Sequence, residues 1–214
     1  MHDPRLDPGY AVHASVEPTP GRHTTGCQVY YDMYRLWTRL PGLPKPPLLS
    51  SKPGKYRADA DQAAIAVANS CFTQLYNGAG LCMFGAMLGV DRLPLFEWLN
   101  AATGWHLSHE EYMKAGKRIQ TIRQLFNVRE GIDLSSLAIS PRAAGHPPLQ
   151  RGANRRRSVQ LAVLMRNYWA GMGWDADTGI PTAQTLQELG IEEGVLLSTD
   201  IHEHVVIPSR SLEE

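Results

Sequence analysis

Residues 59–82 read DADQAAIAVANSCFTQLYNGAGLC. Alanine and other good helix formers fill most of this stretch, and Asp59 or Asp61 can cap its beginning. Four apolar residues recur at intervals of three or four and therefore share one face of a helix: Ile65, Ala68, Phe72 and Leu75. The sequence predicts a helix that stops at Asn77 and Gly78, with an alanine-rich face that allows close packing against a neighbour.

A second strong helix signal follows at Ser108, where Ser-x-x-Glu forms a capping box with Glu111. Behind it, five side chains recur at helical spacing: Tyr112, Ala115, Ile119, Ile122 and Phe126. The pattern predicts a long amphipathic helix that ends near Val128, with Gly131 closing the turn after it.

Three shorter helices are predicted in the same half of the chain. Residues 93–103 form one, and Gly104 ends it. A second helix covers residues 157–170. The third opens at Pro181 or the next residue and ends at Gly190.

The first 57 residues are rich in turns, because proline and glycine interrupt them repeatedly. Residues 29–40 form a short amphipathic helix there, and a proline-rich loop follows it. We therefore predict a loop-rich segment over residues 1–57 and a helical domain over residues 58–214. The expected fold class is all-α, with helices joined by long ordered loops.

The composition of the chain argues against two classes of partner, nucleic acids and membranes. The chain has 214 residues, with 21 Lys and Arg balanced by 21 Asp and Glu. A net charge of zero argues against a nucleic-acid partner, because proteins that bind nucleic acids usually carry an excess of basic residues. No apolar run has the length needed to cross a bilayer, and the polar start lacks a signal peptide, so no membrane association is expected. Three sparse cysteines favour a reducing compartment, here the cytoplasm.

The segment NGAGLC at residues 77–82 is the best candidate for a binding site. Its two glycines let the backbone approach a ligand closely and adopt positive φ angles. Cys82 could ligate a metal or a cluster there. The alternative is a helix end with a buried, unreactive cysteine.

The cysteine count limits any such site. A cubane iron–sulfur cluster needs four cysteine ligands, and the chain has only Cys27, Cys71 and Cys82. A continuous helix would hold Cys71 and Cys82 about 15 Å apart. If Cys82 is a ligand, its partners belong to another segment or another chain.

His23 lies in a Pro/Gly loop, directly after Arg22. A histidine in such a loop can donate or accept a proton near neutral pH. The alternative is a hydrogen-bonded loop residue with no chemical role.

Several of these segments together resemble the aldehyde ferredoxin oxidoreductase family, whose members carry a tungsten or molybdenum pterin and an iron–sulfur cluster. The matching segments follow in order along nearly the whole chain: HDPRLDPGYAV (2–12), PTPGRHTTG (18–26), NGAGLC (77–82), GKRI (116–119), LFNVREGI (125–132), ISPR (139–142) and NYWAGMGWDADTGIPT (167–182). Each motif is weak alone, and their order makes the combination specific.

The resemblance implies roles for individual residues. NGAGLC is similar to the D-x-x-G-L-C motif of the family, in which the cysteine is one of four ligands to a [4Fe–4S] cluster. Cys82 would then hold the cluster, while Asn77, Gly80 and Leu81 would lie at the tungstopterin or molybdopterin. Asn77 replaces the aspartate of the motif and cannot supply its charge. His23 matches the loop histidine that is thought to assist proton transfer.

The same resemblance implies that this chain is incomplete as a catalyst. The N-terminal domain and the C-x-x-C-x-x-x-C motif of the family, which supplies three cluster ligands, are absent from it. An additional portion or subunit would complete both cofactors, a small aldehyde would be the substrate, and ferredoxin would accept the electrons. The alternatives are a relative that acts on another oxo or acyl-thioester substrate, and a non-catalytic subunit that retains the fold.

Overall fold

The computed structural model describes residues 3–19, 21–22, 24–47, 52–88 and 93–192. These residues form α-helices joined by long loops, which confirms the all-α prediction. No β-strand occurs among them, apart from a single bridge between Trp174 and Pro181. The helices are α1 (Pro8–Val16), α2 (Gln28–Tyr34), α3 (Lys52–Lys55), α4 (Ala60–Gly78), α5 (Met83–Leu88), α6 (Leu95–Thr103), α7 (His109–Arg129), α8 (Leu161–Gly171) and α9 (Ala183–Leu189).

Helix α4 is the centre of the fold and lies where the sequence predicts a helix. Asp59 caps it by accepting a hydrogen bond from the Gln62 amide at 3.1 Å. The predicted face is buried, and α1, α2, α7 and α8 all pack around the helix. One apolar cluster joins α4 to α2 and α6, and a second cluster joins it to α1 and α8.

Helix α1 is absent from the sequence-based prediction, which treats the prolines of this region as breaks. Pro8 instead occupies the first turn, where a helix does not need its N–H. The buried Asp7 carboxylate accepts a hydrogen bond from the Gly9 amide, and also from the amides of Gln28 and Val29 at the start of α2. One aspartate therefore caps two helices and joins them.

Helix α2 is shorter than the predicted helix over residues 29–40. Arg35 adopts a left-handed conformation with φ 48° and ends it. A 3₁₀ turn, Leu36–Thr38, continues the chain.

Helices α6, α7, α8 and α9 agree with the predictions apart from some boundaries, whereas α3 and α5 are not among the predicted helices. Gly104 ends α6 with φ 69°, and both hydrogen bonds of the Ser108 capping box are present. Helix α8 begins at Leu161, four residues later than predicted, and the Val159 amide bonds to the Ala144 carbonyl instead. The predicted irregular or hairpin tail at residues 195–208 lies outside the described residues.

Helix α7 has the predicted length but buries a different face. Three of its apolar side chains are exposed, and we call them the α7 stripe: Ile119 (36% exposed), Ile122 (40%) and Phe126 (49%). The buried residues are mostly small or polar: Tyr112, Gly116, Gln120, Thr121, Gln124 and Asn127.

Close approach of α7 to α4 accounts for part of this reversal. A Cβ atom at Gly116 would collide with the carbonyl of Cys71, so the two backbones nearly touch there. The polar side chains of α7 enter the interior because they find hydrogen-bond partners there: Gln120 donates to Glu17, and Gln124 donates to the Gly179 carbonyl.

In the part of the chain that the structure describes, no helix is both long and apolar enough to span a bilayer.

Candidate functional site

Helix α4 ends in a tight glycine turn that positions residues 77–82. The Leu81 amide donates to the Tyr76 carbonyl at 2.9 Å, and the Gly80 amide donates to that of Asn77 at 3.0 Å. Gly80 has φ 74°, a backbone conformation in which a residue with a side chain would be strained. This hydrogen-bond pattern is a Schellman motif, which fixes the direction in which the chain leaves the helix.

The glycine turn presents an open surface at Gly80 and Cys82. No atom of the described residues comes within 4 Å of the position where a Gly80 Cβ would stand. Leu81 packs against the core cluster and anchors the turn, whereas Asn77 is half-buried. The Cys82 thiol is free and exposed, directly before α5. A ligand could therefore approach Cys82 and the turn together.

The other two cysteines are unsuited to ligation. Cys27 and Cys71 are both buried, and burial raises the pKa of each thiol, that of Cys71 to about 12. Since the thiolate is the metal ligand, these thiols are poor candidates. Among the described residues, no group of three or more His, Cys, Asp or Glu side chains could hold a metal ion. One cluster ligand at Cys82 fits the structure, and a complete cluster site does not.

The loop that carries position 23 reaches the last turns of α4. His23 itself lies outside the described residues. On its C-terminal side, the Thr24 carbonyl accepts a hydrogen bond from the Tyr76 hydroxyl at 3.3 Å. The Thr25 carbonyl accepts one from the Thr73 hydroxyl at 3.0 Å. The residues that follow position 23 are therefore bonded to the last turns of α4.

A buried carboxylate anchors the N-terminal side of the same loop. Glu17 is buried, and Gln74 of α4 donates to it at 3.3 Å. From α7, Gln120 donates to it at 3.0 Å, and Arg123 forms an ion pair with it at 3.3 Å.

The next two residues of the loop are held by α7 as well. Asn127 donates to the Pro18 carbonyl at 2.7 Å, and Arg123 donates to the Thr19 hydroxyl. The buried polar face of α7 thus holds the loop against the core.

The polar network continues inward to a histidine that the sequence-based prediction did not select. Gln120 donates to the Tyr168 hydroxyl at 3.3 Å, and Tyr168 donates to the Ser70 hydroxyl at 3.0 Å. Ser70 lies 3.1 Å from His13 Nε2, while His13 Nδ1 lies 2.9 Å from the Gly9 carbonyl. A carbonyl only accepts, so Nδ1 carries the proton and Nε2 accepts from Ser70. Burial lowers the pKa of His13, which favours this neutral form.

A sequence signal for this network exists. Gly116, Gln120, Gln124 and Asn127 recur at spacings of four, four and three, a polar period as regular as that of the apolar stripe. The sequence alone does not show whether α7 buries its polar or its apolar face. That depends on the buried Glu17, which is more than a hundred residues from Gln120 in the chain. Arg129 and Glu130, which are adjacent in sequence, form an ion pair at 2.8 Å at the end of α7.

Comparison with known proteins agrees with these features. A family model described as "Aldehyde ferredoxin oxidoreductase, domains 2 & 3" matches residues 1–191. The tungsten-containing aldehyde ferredoxin oxidoreductase of Pyrococcus abyssi is 38% identical over 122 residues, and that of Pyrococcus furiosus is 37% identical over the same length. The corresponding protein of Thermococcus kodakarensis is 37% identical over 120 residues.

The matched region covers 56% of this chain but only about a fifth of those relatives. Because the family model matches residues 1–191, most of the chain, the chain belongs to the aldehyde ferredoxin oxidoreductase family, within the region of its domains 2 and 3.

Proposed function

We propose that this chain forms the C-terminal helical part of a cytoplasmic oxidoreductase that converts a small aldehyde to a carboxylic acid. Oxidation of the aldehyde with one water yields the acid, two protons and two electrons. The bound tungstopterin or molybdopterin and a [4Fe–4S] cluster would supply the redox chemistry, and ferredoxin would receive the electrons. Additional protein outside this chain would provide the remaining pterin contacts and three cluster cysteines.

The observation that carries the proposal is the exposed Cys82 thiol at the end of the glycine turn. In the proposed site Cys82 donates one thiolate to the cluster. The turn keeps the backbone at Gly80 clear of side-chain atoms, so that a flat cofactor can lie against it. Leu81 holds the turn to the core, and the Asn77 amide offers a hydrogen bond to the pterin.

Proton handling is assigned to His23 in this proposal. Its neighbours on the C-terminal side are bonded to α4, and the residues before it are held by Glu17 and α7. The described residues on both sides of position 23 are thus held in place, which supports this assignment. The network from Glu17 to His13 is assigned a structural role, because His13 is buried and both of its ring nitrogens are hydrogen-bonded within the core.

The first test is the iron content of the assembled enzyme with Cys82→Ser. We expect the variant to lose most of its iron and the electron paramagnetic resonance signal of the reduced cluster. Cys71→Ala is the matched control, because that thiol is buried and should leave the iron unchanged. Full iron and an unaltered spectrum in Cys82→Ser would remove Cys82 from the site.

The second candidate function is a non-catalytic subunit that retains the fold, and Asn77 is the observation that favours it. An amide lacks the charge that strengthens a hydrogen bond from a cofactor N–H. Asn77→Asp in the assembled protein separates the two functions. Pterin present in the unmodified protein supports the oxidoreductase, whereas pterin that is absent from both forms supports the non-catalytic subunit.

A further inference from the structure

The charges of this chain are unevenly distributed along its sequence. Residues 134–174 contain six arginines and no lysine, aspartate or glutamate. Because the whole chain is neutral, the remainder carries an excess of six acidic side chains. Most of these arginines lie in residues 141–157, which we call the arginine loop: Arg142, Arg151, Arg155, Arg156 and Arg157.

Backbone contacts hold the arginine loop in a compact shape. The Arg156 amide donates to the Leu149 carbonyl at 2.8 Å and closes the second half of the loop. A Cβ atom at Gly145 would collide with the Arg157 carbonyl, so the first half of the loop lies against the second. The arginine side chains therefore project from a folded segment in which they are neighbours.

Two side-chain contacts attach the arginine loop to the rest of the protein. The Arg157 guanidinium lies over the Tyr56 ring, 5.3 Å from its centre. Asn154 donates to the Asp3 carboxylate at 3.2 Å, and that carboxylate is already paired with Arg5 at 2.9 Å. The loop is thus anchored by contacts that leave the charges of its other arginines unpaired with Asp3.

The other four arginines of the loop are exposed: Arg142, Arg151, Arg155 and Arg156. No carboxylate of the described residues forms an ion pair with any of them. Arg156 also has φ 55°, a backbone conformation that favours glycine, yet it carries a long charged side chain. Like charges held together on one loop create a positive potential that attracts a partner of opposite charge.

The residue types of the loop favour a protein partner over a nucleic acid. Guanidinium groups form two-point contacts with carboxylates. Protein interfaces are rich in arginine and poor in lysine, as this segment is, whereas phosphate backbones are bound by both residue types. Leu149, which is 38% exposed, adds an apolar contact on the same loop. We propose that the arginine loop binds a carboxylate-rich segment of a partner protein.

The arginine loop and the glycine turn lie at opposite ends of α4. Tyr56, which contacts the loop, precedes α4, whereas Gly80 follows it. The 19 residues of α4 span about 28 Å. The inference therefore does not rest on the proposed function, and either one can fail without the other.

Fluorescence anisotropy of a labelled oligoglutamate peptide tests the proposal on the full chain at low salt. The unaltered chain should bind the peptide, and Arg155→Gln with Arg156→Gly should weaken binding at least about fivefold, because two charge-assisted contacts are lost. Glycine suits the positive φ at position 156, so that the loop keeps its backbone shape. Lys45→Gln with Arg166→Gln removes two exposed charges outside the loop. This matched control should change the affinity less than about twofold.

Amide chemical shifts of the unaltered chain locate the bound peptide without any substitution. Addition of oligoglutamate should shift the amides of residues 149–157 and leave those of α9 unchanged. An oligothymidine of equal charge should bind at least about tenfold more weakly. Absence of peptide binding would overturn the proposal, and so would equal losses in the loop and control variants. Shifts confined to other residues, or oligothymidine that binds as tightly as the peptide, would overturn it as well.

Discussion

At the scale of single residues, Glu17 shows how a buried charge is accommodated. Its carboxylate has no exposure to solvent, and its partners come from α4 and α7. A buried carboxylate loses its hydration, so that the free energy of the folded state depends on these partners. Arg123 is the only one of the three partners described above that carries a charge.

Arg123→Gln should therefore lower the free energy of unfolding by about 3 kcal/mol, because it leaves Glu17 buried without a counter-charge. Urea titration followed by circular dichroism measures this change. The matched control is Arg166→Gln, whose ion pair with Asp177 is exposed and should contribute less than about 1 kcal/mol. Equal losses in the two variants would show that Glu17 does not need its counter-charge.

His13 should make the stability of the chain depend on pH. Burial lowers its pKa in the folded state, so that the unfolded state binds the additional proton. The free energy of unfolding should then be highest above the ordinary histidine pKa of about 6.5, and fall below it by up to about 1.4 kcal/mol per pH unit.

Urea titrations at pH 7.5 and pH 5.5, on the unaltered chain and on His13→Gln, check this expectation. The difference between the two proteins isolates His13 from the other titrating groups. A pH dependence that is the same in both proteins would assign the acid sensitivity to other residues.

At the scale of helices, the sequence locates most elements but not every buried face. Caps and periodicity place α4, α6, α7 and α9 within a few residues, because those signals are local. They fail at α1, where Pro8 starts a helix rather than ending one. They also fail at the face of α7, which is decided by partners as distant as Glu17 and Tyr168.

Gly116→Ala tests the contact between α4 and α7. A methyl group there would collide with the Cys71 carbonyl and push the helices apart, which should destabilise the chain by about 1–3 kcal/mol despite the better helix propensity of alanine. Thermal unfolding measures the loss. Gly85→Ala, in α5 and facing open space, should change stability by less than about 1 kcal/mol. A neutral Gly116→Ala would mean that the helices are not in close contact.

At the scale of the whole molecule, the α7 stripe marks a surface that this chain leaves uncovered. It adjoins the glycine turn, since Ile119 would lie 3.8 Å from a Cβ atom at Gly78. The limit on a cluster site comes from the sequence alone, because three cysteines cannot supply four ligands in any fold.

The exposed stripe should make the isolated chain self-associate, because contiguous apolar surface favours contact with a second copy. Sedimentation velocity over a range of concentrations measures this association. Ile122→Lys with Phe126→Lys should shift the distribution toward monomer. Val163→Lys, a comparably exposed position on α8, is the control. Association that persists in the stripe variant but not in the control would place the contact on α8.

The polar face that α7 turns inward has a thermal consequence. Exposure of polar groups on unfolding lowers the heat capacity of the unfolded chain, whereas exposure of apolar groups raises it. The α7 interface exposes amides, a hydroxyl and a carboxylate where an ordinary interface would expose aliphatic carbon. The heat-capacity increment of this chain should accordingly be small for its length. A flatter stability curve follows, in which the folded state persists over a wider range of temperature at a given maximum stability.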